Sequence, residues 1–185
     1  SYEAALVVTQ KLAIANPENS KWQRDLFVRH GKLGQLEVVN GNLAKAAMHC
    51  GKAHVFLAKR ATGNPNDWRL QYELSVSHSV LASIAVDLGD LTEAARQHGQ
   101  VVTTRKALVS ADPKNEKWQK ALYLSLYNAG AIEMRRNHGK GALLYFEQAL
   151  KLAESFTEND LKIDLEERIA KNRKVVEALK GIVGE

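Results

Sequence analysis

Pro17, Pro65 and Pro113 stand 48 residues apart, each preceded by Asn or Asp, and no insertion or deletion interrupts the step. Gln23, Gln71 and Gln119 keep the same interval, as do Leu26, Leu74 and Leu122, and Ala46, Ala94 and Ala142. Gly41 and Gly89 follow it too, with Asn137 in third place; Gly and Asn are the residues that most readily take the left-handed turn ending a helix. A fixed period of this length commits the chain to units that stack on one another. A unit of two elements cannot cover its own apolar faces and must bury them against its neighbours.

Each unit reads as two helices. The first runs from Pro17 to about Asn40, with Asn16 as a polar cap and Pro17 in the first turn, where its missing N–H costs nothing. The second runs from Leu43 to about Ala61 and carries Leu43, Ala46, Ala47, Cys50, Ala53 and Leu57 at three- and four-residue steps, which puts one apolar stripe against its partner. Only 3 Pro and 12 Gly occur in 185 residues, among many strong helix formers. The expected organisation is a single repeat domain. Residues 1–15 are the second helix of a truncated repeat, 16–63, 64–111 and 112–157 are full repeats, and 158–181 form a C-terminal capping helix with Ile163, Ile169, Val176 and Leu179 on one face. That makes about eight helices. A chain that opens without Met and within a repeat is expected to be a piece of a longer protein.

Several spacings resemble the tetratricopeptide repeat, whose unit reads Trp-x2-Leu-Gly-x2-Tyr, then Ala-x3-Phe, then Pro. Here the first unit has His30-x2-Leu33-Gly34, Gly41, Ala46-x3-Cys50 and Ala53. The second has His78-x2-Leu81-Ala82, Gly89 and Ala94-x3-His98, and the third Leu126-x2-Ala129-Gly130, Asn137, Ala142-x3-Phe146 and Ala149. The period departs from that family's because each helix has gained about seven residues, close to two turns, which keeps the faces in register. The resemblance implies an all-α, right-handed superhelical solenoid of antiparallel helical hairpins. It also implies a concave groove lined mainly by first helices, and a protein or peptide partner held there without catalysis. Transfer of the groove positions gives Val28, Lys32, Gln35 and Val39, then Val76, Ser79, Ser83 and Val86, then Leu124, Tyr127, Ala131, Met134 and Arg135. These residues are mostly small or apolar, as suits an amphipathic helix or apolar peptide. The positions at which some relatives clamp a peptide carboxylate fall on Gly31, Gln35, Val80, Leu124 and Asn128, none of them a cation.

Other chemistry finds little support. Trp22 and Trp118 share a repeat position with Leu70, which favours packing over ligand contact, whereas Trp68 lies two residues off register and is the candidate surface anchor. His49 and His54 are five apart on one helix and no His-x3-His or Cys-x2-Cys pair occurs, so no metal or other cofactor is expected. Cys50 lacks a neighbouring base, Gly139-Lys140-Gly141 lacks the rest of a phosphate loop, and Glu166-Glu167 lie on a solvated helix face; an enzyme is not expected. The net charge is +5, but basic residues alternate with acids as in Arg24-Asp25, a poor footprint for nucleic acid. A lone cysteine fits a reducing compartment, so the cytoplasm is the expected location, and no run is long and apolar enough to span a membrane. The competing reading is self-association, or a rigid arm for an effector domain elsewhere.

Overall fold

The computed structural model describes residues 2–16, 19–156 and 160–183, the side chains at 2, 3, 20 and 160–164 excepted. Its described residues form eight α-helices and no strand: α1 (Tyr2–Ala15), α2 (Ser20–Val39), α3 (Leu43–Gly63), α4 (Trp68–Asp87), α5 (Leu91–Ala111), α6 (Glu116–Arg135), α7 (Gly139–Glu154) and α8 (Asp160–Val183). The 48-residue step reappears in the backbone. Helices α2, α4 and α6 start and stop at that interval, and α3 and α5 do so as well. Helix α7 departs from it, ending at Glu154 so that Phe156 can turn back into the core.

The caps lie three residues beyond the expected ones. The side chains of Asn19, Asp67 and Asn115 accept the N–H of Trp22, Leu70 and Trp118 respectively, and these three caps are themselves 48 residues apart. Asn64 is instead the C-cap of α3, its Nδ2 donating to Arg60 O. Pro65 and Pro113 sit in the turns between, closed by Asp67 N to Asn64 O and Asn115 N to Asp112 O. A side-chain acceptor followed by free helical N–H groups out-competes a proline that only tolerates the first turn. Pro17 falls outside the described residues. The helix stops are as expected: Gly41, Gly89 and Asn137 have φ of 74°, 80° and 60°.

The periodic glutamines explain themselves. Gln23 Nε2 donates to Ala13 O, Gln71 Nε2 to Ala61 O and Asn64 O, and Gln119 Nε2 to Pro113 O. Each one donates to a backbone carbonyl in the last turn of the preceding helix or in the connection that follows it, and so ties one helix to the next.

The chain divides into two compact units, Ser1–Asp90 and Leu91–Glu185, so the division falls inside the 64–111 repeat. In the first unit α1 packs on α2, α2 on α3 and α3 on α4. Phe27 stacks on Phe56 and His30 faces His49, while a Cβ on Gly34 would collide with Cys50. Contacts therefore descend α3 as they climb α2, and the two are antiparallel. Their core continues into α4 through Ala46, Cys50 and Ile84 at one end and Leu57, Ala61 and Leu70 at the other.

In the second unit α6 packs between α5 and α7, and α8 covers α7 and reaches α6. Tyr123, Leu126 and Phe156 join Leu165 and Ile169 in one core, and Ala142 and Phe146 join Val176 and Leu179 in another. Each large side chain buried this way contributes about 1.5–3 kcal/mol. The buried stripe of α8 is Leu165, Ile169, Asn172, Val176 and Leu179. Ile163 has a side chain outside the described set. Asn172 is completely buried and ties α8 to α7 by donating from Nδ2 to Phe146 O at 3.2 Å.

Candidate functional site

Helix α3 is buried along its Cys50, Ala53, Leu57 and Ala61 line, and α2 and α4 flank it on either side. Between them lies an open hollow of 550 Å³ with Cys50, Ala53 and Leu57 as its floor. Phe27, Val28, Gly31 and Gln35 of α2 form one wall, and Tyr72, Val76, Ser77 and Val80 of α4 the other. Val28, Val76 and Val80 are 41%, 39% and 38% exposed, so three apolar side chains face solvent across one cleft. Exposed valines there leave apolar area that a ligand could remove from water at roughly 25 cal/mol per Å².

The cleft is polar at its ends. Arg24, Arg60 and Glu73 stand where α2 and α4 begin and α3 ends, and Gln35 stands at the other end. Arg60 lies 5.8 Å over the Phe56 ring and Glu73 pairs with Arg69 at 3.3 Å, both in solvent-exposed settings. The arrangement can hold an extended or helical segment by apolar contact in the middle and polar contact at the ends.

Of the thirteen groove positions transferred from the sequence, Val28, Gln35 and Val76 are brought together in this cleft. Lys32 and Ser83 are exposed, Val39 is 83% exposed near the end of α2, and Val86 is half-buried. Ser79 is half-buried and donates to Ser75 O. In the second unit Leu124, Tyr127 and Ala131 pack against its cores, Tyr127 edge-on to Phe146, while Met134 and Arg135 are exposed. Trp68 opens α4 and is 39% exposed; Trp22 and Trp118 are half-buried, and Leu70 is fully buried. Gly31 and Val80, which the sequence had placed among the clamp positions, also line the cleft. Arg24, Arg60 and Tyr72 were not anticipated. Arg60 comes from a second helix, and only the packing of α3 between its neighbours brings it there.

No protein-family model matches the chain, and no curated protein does.

Burial favours the neutral form of Cys50 and His30 in the first unit and of His98 in the second. Burial pushes the Cys50 thiol up, which keeps it protonated beneath the cleft. His30 Nδ1 and His49 Nδ1 are 2.9 Å apart in a buried pair, where one ring donates and the other accepts. Burial, the His49 ring and the Lys52 ammonium lower His30 to about 4. In the second unit burial, with Arg105 adding to it, lowers His98 to about 4, and His98 Nδ1 is buried without a hydrogen-bond partner. Among the described residues no group of three or more His, Cys, Asp or Glu could hold a metal ion, and no helix is long and apolar enough to cross a membrane.

Proposed function

We propose that this chain is a protein-interaction module that captures an apolar peptide or amphipathic helix in the α2–α3–α4 cleft and performs no chemistry on it. The observation that carries the reading is the trio Val28, Val76 and Val80, exposed across a 550 Å³ cleft whose floor is already packed. A segment with apolar residues on one face would cover all three at once. The helix limits that recur at 48 residues favour a stack of tetratricopeptide-like hairpins with lengthened helices as the setting for such a groove.

The test is selection of binders from a random peptide library on the whole chain, followed by amide shift mapping and by the Gln35→Arg and Val76→Arg variants. Selected peptides should shift amides of α2 and α4, and Val76→Arg should weaken them about tenfold or more, since it puts an unpaired charge against an apolar ligand. Peptides that bind both variants as well as the parent would place the site elsewhere and sink the reading.

Self-association is the second reading. Val7, Val8 and Ile14 of α1 are 52%, 57% and 72% exposed, an apolar face that a second copy could cover. Light scattering that gives a dimer, dissociated by Val7→Glu with Ile14→Glu, would favour it over a free module.

A further inference from the structure

Helix α3 alone among the eight carries no Asp or Glu. On its solvent side Lys45, Met48, Lys52, Val55 and Lys59 follow one another at three- and four-residue steps, so they share one face, and all five are exposed. Met48 and Val55 are 47% and 67% exposed. Beside this stripe lies a second hollow, of 350 Å³, distinct from the α2–α4 cleft. Gln10 of α1 is on one side and Lys52, Val55 and Lys59 on the other, and no acidic side chain lines it. Its floor includes Leu26 and the stacked Phe27–Phe56 pair. Among the described residues, none of the three lysines has an acidic partner.

The stripe is not a requirement of the repeat. One step of 48 later the lysine positions hold Glu93, Gln100 and Ala107, and the Met48 and Val55 positions hold Arg96 and Thr103. Val7 and Lys11 of α1 stand one step before Val55 and Lys59, and Leu144 two steps after Met48, but the run of three lysines occurs in α3 alone, so packing common to the units does not depend on it.

We infer that this outer face of α3 is a second docking surface, and that its occupant is an acidic amphipathic helix of a partner protein. Lysines seven residues apart stand about 10 Å apart along the axis, the distance between carboxylates placed once per heptad on a helix lying alongside. Apolar residues between those carboxylates would meet Met48 and Val55 and enter the hollow. Two other occupants fit less well. Three cations fall short of the six to ten phosphate contacts typical of tight duplex binding. A bilayer is flat, whereas the Lys52, Val55 and Lys59 end of this face borders a hollow between α1 and α3.

The experiment uses the whole chain and a labelled three-heptad helical peptide with one Glu per heptad and Leu on the same face, beside a counterpart with Lys for Glu. Fluorescence anisotropy should register micromolar binding of the Glu peptide at low salt, weakened by added salt. Lys45→Glu, Lys52→Glu and Lys59→Glu together should weaken it about tenfold or more and create binding of the Lys peptide. A milder triple change to Gln should fall between, which keeps the result readable if charge reversal disturbs folding. Val76→Arg should leave the Glu peptide unaffected, so failure here and failure of the α2–α4 cleft are separate results. The inference is overturned if the Glu peptide does not bind at millimolar concentration, or binds the charge-reversed chain equally well. It is also overturned if phosphatidylserine vesicles or a mixed-sequence oligonucleotide occupy the lysines more tightly than the peptide.

Discussion

A glycine inside a helix normally weakens it, so the chain's helical glycines invite the question of which ones the packing needs. Gly130 is buried where α6 meets α7, and a Cβ there would lie 2.8 Å from the Phe146 ring. Gly51 of α3 has nothing within 4 Å of such an atom. Gly130→Ala should therefore lower stability by about 1–3 kcal/mol through overpacking. Gly51→Ala should raise it by about 0.5–1 kcal/mol, because alanine loses less backbone freedom. Urea unfolding of the two variants checks both, and shifts of the same sign would refute the close-approach argument. Small residues at Gly34 and Gly130 were readable from the repeat pattern, which places them where helices touch. The buried Tyr123 and Asn172 were not: a polar side chain on an otherwise apolar stripe reads as a break until the carbonyl of Phe146 is seen waiting for it.

Helix ends follow from a division of labour between a cap and a glutamine. Asp67 accepts the N–H of Leu70 to start α4, and Gln71, one turn later, reaches back to Ala61 O and Asn64 O where α3 finishes. Asp67→Ala should cost about 1 kcal/mol, the usual worth of a side-chain cap. Gln71→Ala should cost about 0.5–1.5 kcal/mol and specifically speed amide exchange in the last turn of α3, since it ties one helix to the next. Uniform exchange changes across the unit would argue against that local role. The eight elements, their 48-residue step and the left-handed stops at Gly41, Gly89 and Asn137 were legible because glycine, asparagine and apolar spacing act locally. The starts were misread by three residues because proline marks the turn conspicuously, while the capping Asn19, Asp67 and Asn115 are ordinary polar residues. The cleft was legible in part for a similar reason. Val28, Gln35 and Val76 were among the groove positions that the tetratricopeptide resemblance implied, but Arg60 and the floor of α3 depend on how three helices nest.

Acid should undo the molecule in a window set by two histidines. His30 in the first unit and His98 in the second both sit near 4, well below the ordinary 6.5, mainly because burial penalises the charged ring. The folded state therefore holds fewer protons than the unfolded chain once pH drops below about 6.5. Their contribution to stability is fully present above 6.5 and is lost progressively as pH falls toward 4. A depression of this size corresponds to an order of 3 kcal/mol per residue at most, which is large against typical stabilities of about 5–15 kcal/mol. The net charge, already +5 with the histidines neutral, rises over the same range and adds repulsion. Urea midpoints measured from pH 7.5 down to 4.5 should fall steeply in the parent. His98→Leu removes a ring whose Nδ1 has no partner, and His30→Gln removes the member of the buried His30–His49 pair that burial holds near 4, so the double variant should show a clearly shallower decline. An identical slope in parent and double variant would assign the acid sensitivity to other groups and leave the two buried rings as simple packing.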